Sequence, residues 1–162
     1  MHDRDDTPMR DGPGGPGDGL APGRAPGAEA AQRFMSALPH CRALGLDLHA
    51  VADGRATVAM PWAEALVGDP VTGVIHGGAV STLMDTAAGT AVLSHPDAPV
   101  STATLGLRID YLRPARTRQT IVARAECHRV TRSVAFVRVE AADDEGVMAH
   151  ATGTFALTRS GV

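Results

Sequence analysis

From residue 28 onward the chain is a series of alternating apolar and polar stretches around one long, weakly polar segment. Ala28 to Leu38 has the composition of a short helix, and Pro39 stops it. Leu44, Leu46 and Leu48 alternate with Gly45, Asp47 and His49, the two-residue period of a strand with one buried face. Asp53-Gly54 is a hairpin dipeptide, because a two-residue turn matching strand twist needs positive φ at both positions. Ala56, Val58 and Met60 resume the alternation as far as Pro61, and a loop runs through Gly68, Asp69 and Pro70. In the segment from Gly77 to Leu93 the period changes: Val80, Leu83, Met84, Ala87, Ala88 and Ala91 follow helical spacing. Four more alternating stretches cover Ser101–Leu112, Thr120–Val130, Ser133–Ala142 and Val147–Thr158. Pro114, Thr131-Arg132 and the turn from Asp143 to Gly146 separate them. One small helix, two strands, one long helix and four strands predict an α+β fold, with an antiparallel sheet of about six strands wrapped around one central helix.

Composition narrows the picture. Residues 1–27 contain 7 Gly, 5 Pro, 5 Asp and 3 Arg and have almost nothing to bury, so a disordered tail is expected there and one domain over residues 28–162. All 15 basic residues are Arg, the formal net charge is −3 and no basic run occurs, which argues against nucleic acid. With 3% aromatic residues there is no base-stacking platform either. The segment Gly77 to Leu93 carries Ser, Thr and Asp, too polar for a membrane span. The 2 cysteines, Cys41 and Cys127, have no CxxC spacing, and the 7 histidines have no HxH or HxxxH spacing. No metal and no bound cofactor are therefore expected. An acidic start without an apolar core to a signal segment makes a cytoplasmic location the expectation.

Asp85 is the only formally charged residue between Ile75 and Ser94. A carboxylate on an otherwise uncharged, largely covered helix is costly unless it is paired, solvated in a cleft or used. His76-Gly77-Gly78 stands at the start of the same helix, where the first-turn N–H groups and the positive end of the dipole suit a developing oxyanion. Gly77 and Asp85 are 8 residues apart, or roughly 12 Å along the axis, so they cannot serve one carbonyl from the same helix. If both act, Asp85 of one subunit faces Gly77 of another, which predicts a homodimer with composite sites.

His-Gly-Gly with Asp nine positions after the His, in Ser81-Thr-Leu-Met-Asp85, resembles the PaaI-type acyl-CoA thioesterases of the hotdog fold. Asp110-Tyr-Leu-Arg-Pro-Ala115, Arg132-Ser-Val-Ala135 and Ala151-Thr-Gly-Thr-Phe155 continue the resemblance, which spans about Leu44 to Thr158. It implies hydrolysis of an acyl-CoA to free acid and coenzyme A, with coenzyme A entering only as part of the substrate. Dimers, often paired into tetramers, are implied as well. Asp85 matches the family's general base or nucleophile, Gly77 the glycine whose N–H polarises the thioester carbonyl, and His76 the motif His. Thr104 matches a residue that positions water in some members. Gly78, Asp69 and Ser81 are candidates for positioning substrate, and Arg113, Arg116 and Arg132 for meeting the phosphates of coenzyme A; Arg118 follows the same strand end. One departure stands out: the family often carries an Asn or Gln donor a few residues before the His, and here that slot falls at Asp69 or Pro70. The chain has no Asn at all. The missing donor motivates an alternative, a non-catalytic hotdog domain that binds acyl-CoA or acts as a structural or regulatory partner.

Overall fold

Asp53 and Gly54 both adopt positive φ, 47° and 80°, and close the hairpin between β1 (Asp47–Ala52) and β2 (Arg55–Met60). The computed structural model describes residues 28–97 and 99–159, so the tail expected over residues 1–27 lies outside it. α1 (Ala28–Ala37) is followed by α2 (Pro39–Ala43). Pro39 thus opens a second short helix as well as ending the first, its fixed φ being suited to the first helical position. Leu44 and Leu46 lie in the turn leaving α2, and the strand begins only at Asp47.

After β2 the chain makes a turn of 3-10 helix at Glu64–Leu66 and a small hairpin, β3 (Val67–Asp69) and β4 (Val74–Ile75), where the alternation indicated only a loop. α3 (Gly77–Leu93) is the central helix. β5 (Ser101–Tyr111), β6 (Ile121–Val130), β7 (Val134–Asp143) and β8 (Gly146–Thr158) complete the described residues. The sheet has six strands in the order β1-β2-β6-β7-β8-β5, antiparallel throughout, and α3 packs against β2, β5, β6 and β7. This is the hotdog arrangement.

Val80, Leu83, Met84, Ala87, Ala88, Ala91 and Val92 of α3 meet Val58, Met60, Ile121, Val137, Val139, Met148 and Phe155 in one core. Each large side chain buried there contributes about 1.5–3 kcal/mol relative to exposure. Alanine along α3 lets helix and sheet approach closely, which is how a chain with few aromatics fills its interior. The other side of α3 carries hydroxyls. Ser81, Thr82 and Thr90 donate to the carbonyls of Gly77, Gly78 and Thr86, one turn back, at 3.0, 3.0 and 2.7 Å. Their polarity is thereby met within the helix itself, for Thr90 in a buried position.

The edges of the sheet are β1 and β5. Among the described residues β5 is paired only with β8, and a bulge between Thr104 and Gly106 leaves Leu105 62% exposed. An open edge of this length is a template for another strand. At the far end of β5 the chain is locked by Arg113, whose guanidinium donates to both carboxylate oxygens of Asp143 and to the Gly146 carbonyl. The Asp143 side chain is fully buried and also accepts the N–H groups of Arg116 and Glu145. Arg113 beside it, together with those N–H groups, holds its carboxyl far below the ordinary carboxylate range.

Candidate active site

His76 caps α3: its Nδ1 accepts the N–H of Gly78 at 2.9 Å, while its carbonyl accepts the N–H of Ala79 at 2.9 Å. An accepting Nδ1 carries no proton, so the neutral ring keeps its proton on Nε2 and presents it as a donor. A Cβ on Gly78 would stand 2.9 Å from His76 Nδ1, so the cap requires glycine there. Gly77 differs. A Cβ on it would meet only the Tyr111 side chain, its hydroxyl at an ordinary 3.5 Å, so packing within the chain does not demand glycine at that position. Among the described residues no acceptor takes the Gly77 N–H. The helix start therefore presents one open backbone N–H and one imidazole N–H, on exposed residues, at the positive end of the dipole.

Two clefts flank this turn. One of about 430 Å³ runs along Gly77 and is lined mostly by Val74, Ile75, Val80, Leu112 and Met148, with Tyr111 at its side. The other, about 320 Å³, holds His76 and Gly78 against His40, Leu44, Leu66 and Thr82. A larger hollow of about 680 Å³ lies at the turn of the β3–β4 hairpin, beside Trp62 and Arg118, and reaches none of the helix-start residues. There Arg118 stacks on Trp62, 5.9 Å from the ring centre.

The hairpin itself seats His76. Its N–H donates to the Leu66 carbonyl at 2.8 Å, and a Cβ on Gly68 would fall 2.7 Å from His76 Cα. Asp69 holds the turn that follows, accepting the Val71 N–H at 3.0 Å and the Thr72 hydroxyl at 2.6 Å. The Thr72 hydroxyl and the Val71 N–H push the Asp69 carboxyl below its ordinary range, so it is ionised at neutral pH and donates nothing.

Asp85 lies further along α3, half-buried, and its carboxylate accepts the hydroxyl of Thr104 on β5 at 2.8 Å. The structure thus gathers His76, Gly77, Gly78 and Ser81 at the helix start and places Asp85 with Thr104 two turns on, beside the open edge of the sheet. Of the arginines, Arg113 is taken up by Asp143, and Arg116 pairs with Glu145. Arg132 is exposed in the β6–β7 turn, where its carbonyl accepts from Arg159. Cys41 and Cys127 are buried, and burial pushes both thiols up. Among the described residues no group of three or more His, Cys, Asp or Glu is placed to hold a metal, and no helix is long and apolar enough to cross a membrane.

Tyr111 is the site residue that motif reading passed over. Its hydroxyl donates to the Gly77 carbonyl at 2.8 Å and lies 2.9 Å from Ser81 Oγ. The available signal was weak: Tyr111 is the only tyrosine in the chain.

Comparison with known proteins decides the family. The thioesterase superfamily model matches residues 72–150. The medium/long-chain acyl-CoA thioesterase YigI of Salmonella typhimurium is 30% identical over 138 residues, 76% of this chain and 88% of that protein. The chain belongs to the thioesterase superfamily. This thioesterase is 42% identical to a Pseudomonas aeruginosa protein of known crystal structure, with a TM-score of 0.70 over 79% of its own length and 96% of the other. A mutant of the phenylacetic acid degradation protein PaaI from Thermus thermophilus is 31% identical, with a TM-score of 0.67 over 74% of this thioesterase and 99% of that chain. The fold, the superfamily and the PaaI likeness agree, and the chemistry of the thioesterase is thioester hydrolysis.

Proposed function

We propose that this thioesterase hydrolyses acyl-CoA thioesters at two equivalent sites, each built by two copies of the chain. The observation that carries the proposal is the division of the machinery along α3. Open donors stand at Gly77 and His76, and the carboxylate stands roughly 12 Å away at Asp85, beside an open sheet edge. Pairing of two copies along β5 sets Asp85 of one against the helix start of the other. The acyl-CoA activity named for YigI supports the choice of substrate class. Membership of the thioesterase superfamily supports the catalytic reading over a non-catalytic domain that binds acyl-CoA.

In the proposed reaction the thioester carbonyl oxygen lies between the Gly77 N–H and the His76 Nε2–H. Asp85 of the facing copy takes a proton from water as the water oxygen attacks the carbonyl carbon, with the Thr104 hydroxyl orienting the carboxylate. Negative charge then builds on the carbonyl oxygen, where two fixed donors stabilise it. The carbon–sulfur bond breaks, the coenzyme A thiolate leaves and takes up the proton, and the free acid remains. The alternative, direct attack by Asp85, forms a mixed anhydride that water opens, to the same products. His76 would supply the second donor that the family's Asn or Gln often provides. Arg116 and Arg132 stand at opposite ends of β7, roughly 30 Å apart, so one subunit would bring at most one of them to the phosphates of a given coenzyme A, Arg116 by exchanging its Glu145 partner.

Mixing variants tests the composite site. Asp85→Ala and Gly77→Val, each alone, are expected to fold and to lose at least about 100-fold in turnover. Unfolded and refolded together in equal amounts, half the dimers are mixed, and each mixed dimer has one intact site. Coenzyme A release should therefore recover to roughly a quarter of the wild-type rate. No recovery in a mixture shown to contain the mixed dimer would place both groups in one subunit's site and overturn the arrangement.

A further inference from the structure

The Gly77–Gly78 peptide is held at both ends. Its carbonyl accepts the Tyr111 hydroxyl at 2.8 Å, and its N–H is donated to His76 Nδ1 at 2.9 Å. We infer that Tyr111 is a positioning residue for the thioesterase reaction, acting through this peptide on the His76 imidazole. The inference rests on the reading of His76 as a donor to the thioester.

The geometry allows two proton arrangements. Tyr111 can donate directly to the Gly77 carbonyl while Ser81 Oγ donates to the Tyr111 oxygen. In the other, Tyr111 donates to Ser81 Oγ, which lies 2.9 Å away, and Ser81 donates to the Gly77 carbonyl at 3.0 Å. In both, hydroxyl protons end on that carbonyl. Donation to an amide carbonyl strengthens the amide N–H as a donor, because hydrogen bonds in a chain polarise one another. The Gly78 N–H then binds His76 Nδ1 more firmly, which fixes the ring's orientation and its tautomer. The Nε2–H at the far side of the ring is aimed by the same bond.

Ordinary structural roles account poorly for this hydroxyl. Tyr111 is 48% exposed in the single chain, so its ring adds little to that chain's own core. The Gly77 carbonyl already receives its helical N–H and lies within reach of Ser81 Oγ, so a third donor is not needed to satisfy it. The β5 end that bears Tyr111 is nevertheless tied down, since Leu112 N–H donates to the Met148 carbonyl at 2.9 Å and Arg113 is clamped by Asp143. A surface phenol on a braced strand end, aimed at one peptide of the helix start, is a means of setting that peptide.

Because the chain has a single tyrosine, two graded changes are possible. Tyr111→Phe, made and compared in a Ser81→Ala background so that Ser81 Oγ cannot take its place on the Gly77 carbonyl, removes the hydroxyl and keeps the ring. Growth on 3-fluorotyrosine replaces this residue alone and makes its hydroxyl a stronger donor. For both proteins, ¹⁵N shifts of the His76 ring and steady-state kinetics on an acyl-CoA would be measured. Tyr111→Phe should lower kcat by about five- to tenfold, the rate equivalent of one neutral hydrogen bond, with KM within about twofold. Its His76 Nδ1 resonance should move towards that of a less hydrogen-bonded ring, and the fluorinated protein should move it the opposite way. Unchanged ring shifts in both proteins, or a rise in KM with kcat constant, would overturn the inference. Ring shifts that respond in a protein whose wild type releases no coenzyme A would instead sink the acyl-CoA reading and leave the Tyr111–His76 connection standing.

Discussion

Asp69 occupies one of the two positions where PaaI-type thioesterases often carry an amide donor, and its two oxygens are already engaged by Val71 and Thr72. The carboxylate donates nothing and holds the turn of the hairpin that lies against His76. Asp69→Asn keeps an acceptor for only one of those two groups, since the amide nitrogen faces the other. Turnover by Asp69→Asn is therefore expected to equal wild type or to fall by up to about threefold, as read by coenzyme A release. A tenfold gain would mean that residue 69 reaches the substrate carbonyl after all. The imidazole of His76 makes the same point in reverse: a side chain expected for its place in a motif owes its usefulness to which nitrogen the backbone has claimed.

Among the elements, the β3–β4 hairpin has the shortest strands and lies directly against His76. It exists because Gly68 lets β3 lie against His76 with no side chain between them. Gly68→Ala would drive a methyl group to 2.7 Å from His76 Cα, closer than real contacts allow, so the hairpin or the helix cap must shift. The expected cost is about 1–3 kcal/mol of stability. Loss of turnover should exceed what stability explains, because the displaced residue is His76; thermal unfolding and kcat measured together check this. α3, by contrast, does two jobs with two faces. One face carries the alanines and aliphatics of the core, and the other carries self-satisfied hydroxyls and Asp85. Ser81, Thr82 and Asp85 on that second face are half-buried while Thr90 is covered, so the part towards the helix start is the part open to a substrate.

For the whole molecule, the buried Arg113–Asp143 pair joins the end of β5 to the β7–β8 turn, and so braces the strand that bears both Thr104 and Tyr111. Asp143→Asn leaves Arg113 without its charge partner and is expected to cost about 3 kcal/mol. The pH dependence follows from the direction of the shift. The folded carboxyl titrates far below its unfolded value of about 3.9, so the unfolded chain binds more protons in between. The stability from this pair is fully present above about pH 4–5 and declines as pH falls below that range. Denaturant unfolding between pH 6 and 2 should show a steeper acid loss for wild type than for Asp143→Asn; equal slopes would mean that the pair does not titrate as described. In the dimer proposed along β5 the same brace would hold the active-site groups steady. The edge that would meet the partner is stiffened at its far end by chemistry inside one chain.

The sequence by itself determined the elements and the places where chemistry could sit. Alternation, helical spacing, the Asp53-Gly54 turn and the lone charge at Asp85 are all visible within a few residues of chain. It missed the helix opened by Pro39 and the β3–β4 hairpin, both too short to carry a period. Only the tertiary structure decided which groups meet. Thr104 reaches Asp85 across 19 positions, Tyr111 reaches Gly77 across 34, and Arg113 reaches Asp143 across 30. The physical reason is that these pairs depend on strand order, on register and on the bulge at Leu105. Sheet pairing is set by the packing of the whole core, and no local pattern writes it down. Arg113, a candidate for meeting a phosphate, is instead the part-exposed partner of the buried Asp143 side chain, and Tyr111 at the strand end donates to the Gly77 carbonyl beside His76.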